Sequence, residues 1–413
     1  MNSSSLQKPF VAIACGGTGG HLFPGIAVAE QLRQRGCDVA LLISPKDVDQ
    51  QAVKSASGME IFTLPAVGLQ NRNYFSFARS FVKSLFAARK IFRQRRPDAV
   101  LAMGGFTSAP PVFVAKDMGV KTFLHESNTV PGRANRFLSR FVDTAFIGFP
   151  EAAAKLRAQK TLVTGTPVRP QFRWGEATDE PGLAGQGEAA TAREDARPTN
   201  TASCRAALGL DANRPTILVV GGSQGAHGLN ELVLSALPLL KDRDWQWLHL
   251  TGAKDFENVK AAYAAHGIKA VVKPFLAEMD LALGAATAAV SRAGASSLAE
   301  MAAMRLPSLL VPLPTAADNH QFFNAQAFEK TGAAGMLEQK KSPPETVAAL
   351  LTELVGDETA RRKIQAALAQ WHAPQSAAQI AESILSVVFQ GTDGVAARPG
   401  QNLNPQTNCP RSA

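Results

Sequence analysis

Cys15-Gly-Gly-Thr-Gly-Gly-His-Leu-Phe-Pro-Gly25 follows a short apolar run, Phe10-Val-Ala-Ile-Ala14, and leads into an amphipathic stretch from Ile26 to Arg33. Strand, glycine loop, helix is the reading. Backbone N–H groups in such a loop approach an anion closely, and the positive end of the following helix adds roughly half an elementary charge of attraction. The loop is therefore expected to face phosphate or a substrate that carries it. Its spacing is neither the dinucleotide fingerprint G-x-G-x-x-G nor a P-loop, since no Gly-Lys-Ser/Thr follows. His21, where the loop enters the helix, either exchanges a proton near neutral pH or caps the loop.

Outward from that loop, apolar runs alternate with helical segments: Val39–Ile43, Ile61–Leu64, Ala99–Met103 and Lys121–Leu124. Such alternation implies a parallel sheet with helices on its faces. A further glycine loop, Gly104-Gly-Phe-Thr-Ser108, would sit at the carboxyl edge of that sheet, where open α/β folds bind ligands. The opening pattern returns as Thr216–Val220, Gly221-Gly-Ser-Gln-Gly-Ala226 and a helix through Leu240, with Trp247–Leu250, Ala270–Val272, Ala288–Val290 and Ser308–Val311 continuing a second sheet. The fold class is thus α/β, with two similar Rossmann-like domains. The expected divisions are a flexible start at 1–9, a first domain at 10–168, a disordered insertion at 175–203, a second domain at 204–355, helices at 356–389 packing back on the first domain, and a disordered tail at 390–413. The insertion is rich in Gly, Ala, Glu, Thr and Pro without apolar periodicity, and such a segment cannot bury enough surface to offset its ordering entropy.

The 413 residues suffice for two domains, and no stretch reaches the roughly 18 apolar residues of a spanning helix. The start, Met1–Phe10, lacks the pattern of a signal peptide, and the four cysteines show neither C-x-x-C spacing nor a disulfide framework. A cytoplasmic protein is expected. The net charge of +9 favours anionic partners without choosing among them. Its distribution is more telling: Phe75 to Arg96 holds seven basic residues and no acid. At about 100° per residue, Phe77, Phe81, Leu85 and Phe92 share a docking face, while Phe75, Val82 and Phe86 fall among Arg79, Lys83, Lys90 and Arg93 on the other. Apolar wedges in a cationic face suit an anionic membrane surface. Nucleic acid is not expected as a partner, because the basic patch is local and no recognition module is present.

The densest chemistry lies at Ser291-Arg-Ala-Gly-Ala-Ser-Ser-Leu-Ala-Glu300 and Pro312–Gln321. The first is a turn of small residues entering a helix, able to hold a phosphate or sugar; Glu300 either accepts ribose hydroxyls or is an acid favoured by the helix dipole. Taken with Gly16–His21, His125-Glu-Ser-Asn128, Gly165-Thr-Pro-Val-Arg169, Gly221–Ala226 and Asp318-Asn-His-Gln321, these motifs resemble, in order, the MurG family, the N-acetylglucosaminyltransferases that make lipid II for peptidoglycan. The resemblance runs from about Phe10 to about Val388.

It implies the GT-B architecture of two facing domains and transfer of N-acetylglucosamine from UDP-GlcNAc to the C4 hydroxyl of the muramoyl sugar of lipid I, with inversion. It further implies a peripheral enzyme on the cytoplasmic face of the cell membrane, with other cell-wall synthesis proteins as partners and no cofactor, UDP-GlcNAc being a substrate. Carried over by motif, Ser223 contacts the donor phosphates, Arg169 sits at the nucleotide, the Leu276 backbone reads uracil, and Ala295, Ser296, Ser297, Leu298 and Ala299 line phosphate and sugar. Glu300 holds the ribose, Gln321 binds sugar hydroxyls, and Thr18, Gly19, Gly20 and Asn128 reach the donor from the first domain. Departures from the family pattern are Ser127, Thr166, His320 and Phe106, the last removing an aromatic hydroxyl. An inverting displacement needs a base and groups that neutralise the leaving diphosphate. His21 is the first candidate base and Glu126 the second, while Arg169 and Arg292 serve the leaving group without a metal. Asp47-Val-Asp49 and Asp242-Arg-Asp244 match a D-x-D metal pattern that arises often by chance. The competing readings are a GT-B transferase or epimerase with another nucleotide sugar or acceptor, and a dinucleotide-binding regulatory module.

Overall fold

The computed structural model describes residues 8–17, 19–46, 49–50, 53, 58–66, 74–172, 200–222 and 225–393. Phe10–Ala14 is β1, in the middle of a sheet of order β3-β2-β1-β4-β5-β6-β7. Its other strands are β2 (Asp38–Ile43), β3 (Glu60–Thr63), β4 (Ala99–Ala102), β5 (Lys121–Glu126), β6 (Thr144–Ile147) and β7 (Lys160–Val163). All pairings are parallel, Ala12 lying opposite Ala40 of β2 on one side and Val100 of β4 on the other. Helices cover both faces, which is why β1 and β4 are buried along their whole length and read as unbroken apolar runs.

The second sheet, β10-β9-β8-β11-β12-β13, repeats the strand order of the first six. It contains β8 (Thr216–Val220), β9 (Gln246–Leu250), β10 (Ala270–Lys273), β11 (Ala288–Ser291), β12 (Ser308–Leu310) and β13 (Gly335–Met336). In both sheets the order reverses beside the first strand, between β1 and β4 and between β8 and β11. Crevices at the carboxyl ends of such strands are where open α/β sheets bind ligands. Two Rossmann-like domains with parallel sheets are the result.

The helices of the first half are α1 (Gly19–Gln34), α2 (Tyr74–Gln94), α3 (Ala109–Asp117) and α4 (Arg133–Leu138). The second half adds α5 (Thr201–Ala207), α6 (His227–Leu240), α7 (Phe256–Ala265), α8 (Met279–Ala285), α9 (Ala295–Ala303), α10 (His320–Lys330), α11 (Pro344–Gly356), α12 (Glu358–Trp371) and α13 (Ser376–Asp393). The absence of a side chain at Gly25 lets α1 lie close on β1, since a Cβ there would come 2.7 Å from that of Cys15. The chain leaves the first half through 164–172 and returns at 372–376. On its return α13 inserts Ile380, Ala381, Ile384 and Leu385 into the core shared by β1 and α1. Gly165, at φ +76°, makes that crossing feasible: a Cβ there would overlap Ala373, and the Gly165 carbonyl accepts from Ser376 Oγ at 3.0 Å. Beside it Phe149 joins the core of the second half, where Phe328 and Trp371 stack with centroids 4.4 Å apart.

The expected insertion lies outside the described residues as far as 199; Asn200 then caps α5, its Oδ1 accepting from Ser203 N at 2.8 Å. The start up to residue 7 and the tail from 394 also lie outside them, α13 running four residues past the expected boundary at 389. No described helix is long and apolar enough to cross a membrane.

Candidate active site

The loop after β1 is held from below. Gly17 N donates to Asp49 Oδ2 at 2.6 Å, Ser44 donates to the same oxygen, and Lys46 Nζ donates to the Gly17 carbonyl at 3.0 Å. Asp49 is fully buried and serves the loop backbone; Asp47 lies outside the described residues. The other D-x-D pair is on the surface, Asp244 meeting Arg214 at 3.2 Å. Among the described residues no group of three or more His, Cys, Asp or Glu side chains could hold a metal ion.

Thr107 Oγ1 donates to the Gly16 carbonyl at 2.6 Å, tying the loop after β4 to the loop after β1. His21 lies between them. A Cβ at Gly104 would come 3.0 Å from its Nε2 and one at Gly105 3.2 Å from its Nδ1, and both glycines have positive φ, +109° and +78°. Only glycine admits the ring at that distance in that backbone conformation. Burial pushes the His21 imidazole down to about 4, against the pull of Asp49, with Lys46 and His320 adding to the burial effect. It is therefore neutral at pH 7 and holds a lone pair. Phe106 packs on Gly17 and carries Lys46 Nζ 5.2 Å from its ring centre, as a wall of the site.

At the end of β5, His125 contacts the Gly165 carbonyl through Nε2 at 3.1 Å and Ser127 Oγ through Nδ1 at 3.3 Å. Burial lowers it to about 4, so the neutral ring donates to the carbonyl and accepts from the hydroxyl. Glu126 is 2% exposed and accepts four N–H bonds: Asn128 N at 2.8 Å and Asn128 Nδ2 at 2.9 Å on Oε1, Gly132 N at 3.0 Å and Asn135 Nδ2 at 2.8 Å on Oε2. With both oxygens doubly engaged, this carboxylate shapes the 127–132 turn. It is poorly placed to take a proton from a substrate.

Facing these loops are the ends of β11 and β12. Ser296 Oγ, in the first turn of α9, donates to the Gly20 carbonyl of α1 at 3.0 Å, so the two helix N-termini meet. Ala295 and Leu298 are buried, whereas Ser297, Ala299 and Glu300 are partly exposed. Arg169 Nη2 lies 3.6 Å from Glu300 Oε1, beyond good hydrogen-bond distance, and Arg169 Nε is buried with no partner. Burial raises the Glu300 carboxyl to about 7 despite Arg169, with Asp280 pushing the same way as burial.

Arg292 donates to the Val311 carbonyl at 3.0 Å, the Pro312 carbonyl at 3.3 Å and Gln339 Oε1 at 2.7 Å, while its Nε has no partner. Burial lowers it to about 10, and among the described residues no carboxylate pairs with it. It lines a cavity of about 330 Å³ with Gly221, Gly225, Leu313 and Gln321. Gln321 Oε1 accepts from Leu313 N at 3.0 Å, fixing the amide there. Leu276 is buried next to the exposed Phe275. Thr18 and Ser223 lie outside the described residues.

Two interdomain contacts were not anticipated from sequence. Asn324 of α10, fully buried, accepts from Thr129 N and Oγ1 at 3.0 and 2.9 Å and donates to Asn128 Oδ1 at 3.0 Å and the Ala293 carbonyl at 3.1 Å. A polar residue on the same face as the buried Phe328, one turn on, was the available signal. Asp318, left-handed at φ 49°, pairs with Arg136 and, at 3.2 Å, with Arg133 of α4.

The outer face of α2 is as the periodicity implies. Phe75 is 80% exposed, Phe86 71% and Val82 48%, and Arg79, Lys83, Lys90 and Arg93 are exposed around them. Beneath, Phe81 meets Phe113, which meets Phe137 and Phe141 edge-on; Phe137 is itself exposed, extending the apolar surface to α4.

The profile of the glycosyltransferase family 28 N-terminal domain matches residues 11–147, and that of the C-terminal domain of the same family matches 216–384. The chain is 38% identical over 354 residues to the UDP-N-acetylglucosamine–N-acetylmuramyl-(pentapeptide) pyrophosphoryl-undecaprenol N-acetylglucosamine transferase of Pelobacter propionicus, covering 84% of this chain and 90% of that one. It is 35% identical over 397 residues to the enzyme of the same name from Anaeromyxobacter sp. strain Fw109-5, covering 94% of this chain and 96% of that one. Acinetobacter baumannii MurG superposes with a TM-score of 0.67 at 27% identity, over 92% of this chain and 99% of that one. A UDP-N-acetylglucosamine 2-epimerase gives 0.64 at 12% identity, over 96% and 100%, a likeness of fold alone. With two matched domains, two helix N-termini facing across one cleft and relatives this similar over nearly their whole length, the chain belongs to the MurG family of N-acetylglucosamine transferases, within glycosyltransferase family 28.

Proposed function

We infer that the chain transfers N-acetylglucosamine from UDP-GlcNAc to the C4 hydroxyl of the muramoyl sugar of lipid I, forming the β-linked disaccharide of lipid II and releasing UDP. The observation that carries this reading is the meeting of α1 and α9 at Ser296 and Gly20, which puts the neutral His21 on one side of a cleft and unspent arginine donors on the other. His21 accepts the acceptor hydroxyl proton as that oxygen attacks the anomeric carbon and the bond to the diphosphate breaks. An imidazole held near 4 is a weak base in the ligand-free site. The diphosphate brings negative charge, which raises its basicity where the proton must be taken. Arg292, whose Nε has no partner and which pairs with no carboxylate among the described residues, supports the departing diphosphate. Glu126 acts as a positioning residue that presents Asn128. Glu300 takes the ribose and Gln321 the sugar hydroxyls.

A lipid-linked acceptor requires access to a membrane, and the outer face of α2 supplies a surface suited to one. Phe75, Val82 and Phe86 enter the interface of an anionic leaflet, where Arg79, Lys83, Lys90 and Arg93 meet lipid phosphates. The enzyme is then peripheral, on the cytoplasmic side. Purified protein incubated with radiolabelled UDP-GlcNAc and a lipid I analogue tests the reaction: label in a lipid-linked disaccharide is expected, and label that stays with UDP-GlcNAc, or moves to free sugar alone, refutes it.

A further inference from the structure

Phe23, one turn into α1, has no part in the donor contacts assigned so far. Its ring lies under Gly19, where a Cβ would come 3.2 Å from it, and the Arg169 guanidinium carbon sits 4.0 Å from the ring centre. Arg169 also meets Phe172, 4.9 Å away. The guanidinium thus packs on two aromatic rings, one from α1 and one from the segment crossing between the halves. From there it reaches Glu300 on α9, at a separation too long for a settled pair and with Nε unpartnered.

A free Arg–carboxylate pair closes to a bidentate contact. Here Arg169 Nη2 stands 3.6 Å from Glu300 Oε1 while the guanidinium packs on Phe23. We propose that Phe23 is a positioning residue for the donor: by packing on the Arg169 guanidinium it holds that group beside Glu300, where the carboxylate receives the ribose hydroxyls, so donor affinity depends on a side chain of the first half. This rests on the ribose reading of Glu300 and adds to it a dependence of the donor site on α1.

The charged groups acting on Glu300 are Arg169, from the crossing segment, and Asp280, from α8, which pushes its carboxyl upward as burial does. Arg169 is therefore the favourable influence, and displacing it leaves burial and Asp280 unopposed. Donor binding then fails at a higher pH than in the wild type.

Calorimetric binding of UDP-GlcNAc between pH 6 and 8.5 tests this, because its diphosphate diester does not titrate there. Phe23→Leu keeps apolar bulk and removes the aromatic face. It is expected to weaken donor binding roughly three- to tenfold, the span of a partly enclosed cation–π contact, and to move the midpoint of the acid-side loss upward. Phe23→Trp restores both affinity and midpoint. Arg169→Lys, which keeps the charge without the planar group, behaves like Phe23→Leu, and circular dichroism melting of each variant verifies folding. Wild-type affinity and an unmoved midpoint in folded Phe23→Leu overturn the proposal. Glu300→Gln separates the two claims: if it binds UDP-GlcNAc as tightly as the wild type, the ribose reading itself is wrong.

Discussion

The two halves share strand order, switch point and glycine loops, yet differ in how they treat charge. In the first half the carboxylates at the site work for the loops around them. Asp49 holds the Gly17 amide, and Glu126 accepts four N–H bonds. Between the two glycine loops stands the neutral imidazole of His21. Facing them, Arg169 of the crossing segment and Arg292 each keep a buried Nε without a partner among the described residues, and Glu300 is loosely paired. The contrast is one of sign: in the first half the buried site atoms without a partner are acceptor oxygens, Asp49 Oδ1 and Asn135 Oδ1, and facing them are the arginine donors Arg169 Nε and Arg292 Nε.

The sharpest way to break that contrast is at His21. His21→Ala is expected to lower kcat roughly 10²–10⁴-fold while UDP affinity stays within twofold, about the noise of calorimetry. If Glu126→Gln instead causes the larger loss and abolishes the acidic limb of the pH–rate profile, the base lies at Glu126. Next in size is Glu300→Ala, which removes charge-assisted hydrogen bonds worth about 1.5–3 kcal/mol each and should raise the KM for UDP-GlcNAc by tenfold or more, leaving the acceptor KM unchanged. An unaltered donor KM would remove the nucleotide from that side. The pH dependence carries the same contrast with a definite sign. Burial raises the Glu300 carboxyl to about 7, so the ionised form to which the proposed function assigns the ribose hydroxyls is lost as pH falls through that value. The kcat/KM for UDP-GlcNAc should therefore decline below about pH 7, whereas His21, near 4, stays neutral across the same window. A flat profile from pH 6 to 8 would contradict this.

Smaller effects are expected on the outer face of the acceptor half. Replacing both Lys83 and Lys90 by Glu should weaken co-sedimentation with anionic vesicles more than about tenfold, since each basic residue near such a surface contributes about 1 kcal/mol. Phe86→Ser should weaken it by a few-fold through lost apolar burial. Both variants should still turn over a water-soluble lipid I analogue. Wild-type binding indifferent to lipid charge and salt would leave α2 a solvated face.

Much of the frame was legible because it is local. An apolar run, a glycine loop and a helix identify β1 and α1 within twenty-five residues, and the repeat at β8 identifies the second domain. The wheel of α2 likewise needed only its own residues. Strands β6, β7 and β13 escaped notice: they are two to four residues long, and edge strand β7 is only partly covered. The seams between the halves were illegible for a different reason. Phe23 reads as an ordinary position in the first turns of α1, and only the arrangement of two domains brings Arg169 over its ring. Asn324 meets residues almost two hundred positions away, and Asp318 meets α4 at a similar separation. Pattern within a helix says which side is apolar, not which partner arrives on it.

The double crossing at Gly165 has a consequence for how the protein is made. The half that leaves the ribosome first cannot be finished first, because the last helix supplies Ile380, Ala381 and Ile384 to its core. At a synthesis rate of about 5–20 residues per second, the apolar side of β1 and α1 waits on the order of ten seconds or more after its own strands have emerged. Throughout that interval the nascent chain offers a chaperone a greasy surface that the mature enzyme conceals. A stop codon ahead of α13 would make that vulnerability permanent.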